Sequence, residues 1–242
     1  MPLNTSSNAG DAPALAERLL DAALVHVPFD GWSETALRAA CADTGTEPAL
    51  ARALFPRAGL DLALAYHRRG DEAMVRALAA EDPGALRLRE RVARAVRLRL
   101  ELADREAVRR GTVLLTLPLN APEGARALWQ TADAIWTALG DRSEDGNWYT
   151  KRAMLAGVYS ATVLYWLGDQ SPGAEATWAF LDRRIDDVMR FEKAKAQVQD
   201  SPVLSKVFAL PLGIMASLRK PQGGAALPGC AGQGSGTQRP FR

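Results

Sequence analysis

Metal and nucleophile chemistry needs His, Cys and carboxylates at short, regular spacings, and this sequence offers few of them. Its two histidines, His26 and His67, have no Ser or Cys nucleophile beside them and no Cys or carboxylate at zinc-ligand spacing. Asp182, Asp186 and Asp187 lack the His that a di-iron helix pair places three residues after its Glu. Cys41 and Cys230 are the only cysteines, and the second lies in a Gly- and Pro-rich stretch, so no disulfide framework is expected and a reducing compartment is. The residues point away from an enzyme, with no catalytic residue, resident cofactor or metal.

Two other residue classes are concentrated. Nine arginines lie between Leu86 and Arg110: Arg87, Arg89, Arg91, Arg94, Arg97, Arg99, Arg105, Arg109 and Arg110. Val92, Val96 and Leu100 recur at i, i+4, i+8 among them, and Glu90 and Glu101 stand four residues before Arg94 and Arg105. This spacing predicts a solvated, ion-paired helix face over an apolar one. Five of the six tryptophans fall between Trp129 and Trp178. Trp129, Ala132 and Trp136 share one helix face, and Leu155, Val158, Thr162 and Tyr165 form a stripe on the next, with Tyr159 nearby. Such faces predict an aromatic interior, wide enough between helices to suit a long lipid. Trp148, Tyr149 and Arg152 follow the polar loop Gly140–Asn147 at a helix mouth. They are the side-chain types that dominate interfaces, and their spread over more than one face predicts a partner-binding surface.

The elements that must carry these residues are helices. Apolar residues recur at helical spacing along the chain, Ala, Leu and Arg abound, and no clean period-2 stretch occurs, so the fold class is all-α. Start signals at Asp11, Ser33, Thr46, Asp82, Asn120, Asn147, Ser171 and Ser201 predict about nine helices. The longest charge-free run, Ala153 to Gly168, is 16 residues, short of the roughly 20 a spanning helix needs, and predicts a buried core helix. The first ten residues carry no Arg or Lys, unlike a presequence, so the protein is expected to stay where it is made.

Three short helices are predicted in the first 65 residues, with faces Leu15-Leu19-Ala22-Ala23, Ala36-Leu37-Ala40 and Leu50-Ala53-Leu54 and a Gly45-Thr46 turn between the last two. The order Leu-Leu-Asp-Ala-Ala-Leu, Gly31-Trp32, Gly45, Leu54-Phe55-Pro56 and Leu60-Asp61-Leu62 resembles the N-terminal helix-turn-helix domain of the tetracycline-repressor family. Residues 1–70 hold six basic against eight acidic side chains, a net charge of −2, and Glu47 to Phe55 carries Arg52 as its one basic group. This helix-turn-helix is therefore expected to be degenerate, with no nucleic-acid partner. A ligand-sensing transcription regulator of the tetracycline-repressor family is the alternative reading.

The run from Asp133 to Ala153, DAIWTALGDRSEDGNWYTKRA, and that from Glu175 to Met189, EATWAFLDRRIDDVM, closely resemble the coenzyme Q biosynthesis protein nine family, over about residues 11–196. The resemblance implies a tetracycline-repressor-like homodimer that does not bind DNA. It further implies an accessory protein that holds an isoprenoid quinone intermediate or phospholipid and presents it to a di-iron demethoxyubiquinone hydroxylase. Ile135, Trp148, Tyr149 and Arg152 are then the docking patch. The lipid is expected among Trp129, Trp136, Leu155, Val158, Tyr159, Thr162 and Tyr165.

The same resemblance makes the apolar segment Ser201 to Lys220 a membrane-binding amphipathic helix, through Val203, Leu204, Val207, Phe208 and Leu210, although Pro211 and Gly213 interrupt it. The expected organisation is a helix-turn-helix-like unit at 11–68, a lipid-binding and dimerisation unit at 72–196, the membrane segment at 201–220 and a disordered tail at 221–242. The expected location is cytoplasmic, peripheral on a bacterial inner membrane.

Overall fold

A computed structural model of the 242-residue chain describes residues 11–81, 86–143 and 146–199. Nine α-helices occur in them, and no strand: α1 Asp11–Asp30, α2 Glu34–Thr44, α3 Pro48–Leu54, α4 Gly59–Ala80, α5 Leu88–Glu101, α6 Arg105–Thr116, α7 Ala121–Ala138, α8 Gly146–Gly168 and α9 Glu175–Gln199. A 3₁₀ turn at Pro172–Ala174 leads into α9. No helix among the described residues is long and apolar enough to cross a membrane.

Local chemistry sets several of the boundaries. Ser33 caps α2, its Oγ accepting from the Ala36 N–H at 3.2 Å. Gly45 ends that helix at φ 63°, a conformation that costs glycine no Cβ clash, and Thr46 N–H returns to Cys41 O. The start of α3 falls on Pro48 with Glu47 as cap residue; Thr46, the expected cap, instead bonds the Thr44 hydroxyl at 2.8 Å. Asn120 precedes α7 but donates its side-chain N–H to Leu114 O rather than capping. The expected starts at Asp82 and Ser201 lie outside the described residues.

The arginine-rich stretch departs most from expectation. It forms two helices, because the Asp104 carboxylate accepts from Ala107 N–H at 2.7 Å and starts α6 afresh. Glu90 pairs with Arg87 and caps α5, while Glu101 reaches Arg97 at 2.6 Å and Arg94 at 3.3 Å. Arg105 instead stacks on Trp166 and donates to Asp169 O. Arg99 is not solvated at all: it is 2% exposed and bound to Asp71.

Two apolar clusters hold the bundle. In the first, Leu19, Leu20, Val27, Trp32, Leu37 and Phe55 of the N-terminal helices meet Leu62 of α4 and Ala107 of α6. The second joins Met74 of α4 with Val92, Val96, Ile135, Leu155, Val158, Leu181 and Ile185 from α5, α7, α8 and α9. Full burial of each such side chain is worth about 1.5–3 kcal/mol. The face of α3 differs from the expected one: Ala51 and Phe55 are buried, whereas Leu50 is 48% exposed. α4 serves both clusters and so holds the N-terminal helices against the rest, which leaves a hollow beside it.

Candidate functional site

That hollow is a cavity of about 400 Å³ lined from α4, α6, α7 and α8, with Arg99 from α5 and Trp32 from the turn before α2. Its size is that of a small-molecule or lipid-tail site. The wall is built from small or aliphatic residues: Ala107, Val108, Gly111 and Leu115 of α6, Ala121, Gly124, Ala125 and Leu128 of α7, Val163 and Leu164 of α8. Gly124 is required by close approach, because a Cβ there would lie 2.8 Å from Leu115 O. Trp32 is fixed at one side, its Nε1–H donating to Ala107 O at 2.9 Å and its ring 5.4 Å from that of Tyr66.

One end of the cavity is polar. Asp71 accepts from Arg99 Nε at 2.7 Å and from the Thr131 hydroxyl at 2.9 Å, and Arg99 Nη2 donates to His67 O at 2.9 Å. Thr131, having given its proton to Asp71, accepts from His67 Nε2 at 2.8 Å. Burial lowers the His67 pKa to about 4, against the pull of Asp71, so this histidine is neutral near pH 7. Tyr159 is 3% exposed, and burial raises its hydroxyl to about 12 against the pull of Arg99.

Most of the expected lipid lining lies elsewhere in the bundle. Of Trp129, Trp136, Leu155, Val158, Tyr159, Thr162 and Tyr165, Tyr159 alone lines this cavity. Trp129 packs against the rings of Trp148 and Tyr149, and Trp136 donates to Lys151 O at 3.1 Å. Leu155 and Val158 belong to the second core cluster, Thr162 bonds Val158 O, and Tyr165 stacks on Phe180 at 4.5 Å. The aromatic face of α7 is the neighbour of the cavity face Ala121-Gly124-Ala125-Leu128, which shows the same i, i+3, i+4, i+7 spacing in small residues. That stripe was the available signal.

Trp148, Tyr149 and Arg152 come together where α7 meets α8, while Ile135 lies in the second core cluster, and all four point largely inward. Ile135 is fully buried, Trp148 is 3% exposed, Arg152 is 2% exposed, and Tyr149 is half-buried. Of the four, Tyr149 alone is part-exposed. The core accepts the charge because Arg152 lies over the Trp148 ring at 4.2 Å and donates to Asp133 at 2.5 Å and Asp141 at 3.1 Å. Burial pushes the Asp141 carboxyl up, and hydrogen bonds from Lys151, Ser143 and Arg152 overcome this and hold it at about 2. The indole N–H groups of Trp129 and Trp148 are buried without a hydrogen-bond partner. Val203, Leu204, Val207, Phe208 and Leu210 lie outside the described residues.

The α7–α9 region that contains these residues is also where the sequence profile of the COQ9 family matches, over residues 121–192. The chain is 34% identical over 196 residues to the human ubiquinone biosynthesis protein COQ9, mitochondrial, covering 77% of this chain and 61% of the human protein. The chain is thus similar to the COQ9 family, most plainly over α7 to α9. The COQ9 protein of Drosophila melanogaster is 32% identical over 192 residues, and the probable coq9 protein of Dictyostelium discoideum 29% over 192 residues. The chain spans about three fifths of the human and fruit-fly COQ9 proteins, with 61% and 59% covered. The fold is that of the tetracycline repressors: a TetR transcriptional regulator from Nitrosomonas europaea superposes with a TM-score of 0.58 at 19% identity, covering 72% of this chain and 97% of that one.

Proposed function

We propose that this COQ9-like chain is a lipid-binding accessory protein of ubiquinone biosynthesis, without catalytic activity of its own. It takes up a hydrophobic isoprenoid quinone intermediate and presents it to a di-iron demethoxyubiquinone hydroxylase. The observation that carries this reading is the cavity between α4, α6, α7 and α8, with its aliphatic wall and single polar end. The similarity to human, fly and amoebal proteins named for ubiquinone biosynthesis supports the substrate class. Each CH₂ removed from water is worth about 0.8 kcal/mol, but far less relative to a bilayer, so the protein acts as a reversible carrier.

In this reading residues 11–68 are a packing module, and residues 72–196 bind the lipid and dimerise through α8 and α9. The exposed Leu164, Tyr165 and Met189 there suit a second copy. The segment 201–220 rests on the membrane. The hydroxylase docks at the α7–α8 end, where Tyr149 is the accessible side chain and Ile135, Trp148 and Arg152 set the shape beneath it.

Native mass spectrometry with lipid extraction tests the carrier. Protein purified from cells that make ubiquinone is expected to carry an isoprenoid quinone in substoichiometric amount. Protein that emerges empty, and takes up no added short-chain quinone, overturns the proposal.

A further inference from the structure

The cavity wall contains several hydroxyl groups, and all but that of Tyr159 make a hydrogen bond within the protein. Thr112 and Thr116 donate back to Val108 O and Thr112 O of their own helix, and Ser160 to Gly157 O. The Tyr66 hydroxyl accepts the Asp104 N–H at 2.8 Å. The Tyr159 hydroxyl has no hydrogen-bond partner among the described residues, although the side chain is 97% buried by its 3% exposure and lies on the cavity wall. A hydroxyl that opens on a cavity and is unpaired within the protein takes its partner from water or a ligand.

The charge around it limits what that partner is. Arg99 is neutralised by Asp71 at 2.7 Å and spends a second nitrogen on His67 O, while His67 itself is neutral near pH 7. The polar end thus has no net charge, and an anionic head group placed there would lose its hydration without gaining a counter-ion. Burial keeps the tyrosine protonated, so it is a hydrogen-bond donor, and the group that suits it is an uncharged oxygen acceptor on an otherwise apolar molecule.

We infer that Tyr159 is the specificity-determining residue of the cavity, donating its hydroxyl proton to a carbonyl or other neutral oxygen at the head of an apolar ligand and excluding carboxylate and phosphate heads. This rests on the lipid-binding reading of the same cavity and adds to it the head-group chemistry and the residue that reads it.

The test uses the full chain and three probes of equal length: 2-nonanone, nonane and nonanoate. Headspace gas chromatography measures the two volatile probes and calorimetry the carboxylate. The wild type is expected to bind the ketone about fivefold more tightly than the alkane, the worth of one neutral hydrogen bond, and more tightly than nonanoate. Tyr159→Phe is expected to weaken the ketone to the level of the alkane and leave the alkane unchanged. Its melting temperature should be equal or higher, because the hydroxyl it removes has no protein partner. A ketone preference that survives in Tyr159→Phe, or tighter binding of nonanoate than of the ketone, overturns the anchor while the cavity reading stands. If the wild type binds neither volatile probe, the cavity reading itself fails and the anchor fails with it.

Discussion

His67 shows how much the cavity wall demands of a single side chain. Its ring is held by the Thr131 hydroxyl and buried beside Asp71, and burial outweighs that carboxylate to set the pKa at about 4 rather than 6.5. The unfolded chain therefore binds a proton that the folded one refuses, so this group's contribution to stability is complete above pH 6.5 and is lost as pH falls through about 4. The difference of about 2.5 units corresponds to roughly 3 kcal/mol. Denaturant melts between pH 7 and 4 should show that loss, and His67→Gln should flatten it; an unchanged slope in the variant would place the pH dependence elsewhere. The salt-bridged Asp141 contributes little over this range, because its stabilisation is lost mainly as pH falls from about 4 toward 2. In the sequence, His67 shows no nucleophile or metal-ligand partner, and its neighbours Asp71, Arg99 and Thr131 are not legible as a group. They lie on α4, α5 and α7, and their pairing depends on helix packing that no short-range spacing encodes.

Among the elements, α7 and α8 were legible as helices and partly illegible as surfaces. Periodicity and end signals such as Ser33, Gly45 and Pro48 determine where helices lie, since they act within a turn. Which of two adjacent faces meets a cavity depends on the partner helix, and so the aromatic face of α7 was preferred over its Ala-Gly-Ala-Leu neighbour. The capping role of Asp104, which splits α5 from α6, is masked in the sequence by the continuous apolar period around it. The same distinction governs the α7–α8 end. Trp148→Lys puts a charge in place of a 3% exposed indole stacked under Arg152, so it should cost more than about 3 kcal/mol and unfold the end of the bundle. Tyr149→Ala, at the half-buried position, should leave the melting temperature within a few degrees. It should also weaken hydroxylase binding by about 30-fold, as for an interface anchor worth about 2 kcal/mol. Paired melting and calorimetric titrations check both; hydroxylase binding that is undiminished in Tyr149→Ala removes the docking site from this end.

At the scale of the whole molecule, the tetracycline-repressor fold brings with it the question of DNA, and charge decides the answer expected. The chain's net charge of +2 divides into −2 over residues 1–70 and +4 over the rest, so the positive balance lies away from the helix-turn-helix. The helix in the recognition position, α3, is 7 residues long and its one basic side chain, Arg52, is bound to Glu34 at 2.5 Å. Arg57 just beyond is held by Asp61 at 2.7 Å and Glu123 at 3.1 Å. Arginines so paired would have to break these contacts to reach phosphates, and Glu34, Asp43 and Glu47 around them repel the duplex. Specific binding by a repressor is typically tighter than about 10⁻⁸ M at physiological salt, and each phosphate neutralised steepens its salt dependence by about 0.9 in log units. A fluorescence-anisotropy titration at two salt concentrations should therefore give no binding tighter than about 10⁻⁵ M and a salt slope near zero. The double variant Glu34→Ala, Glu47→Ala, which frees Arg52 and removes two carboxylates, should gain weak, salt-steep, sequence-independent binding. Sub-micromolar, sequence-specific binding by the wild type would make the chain a regulator and the cavity an effector site.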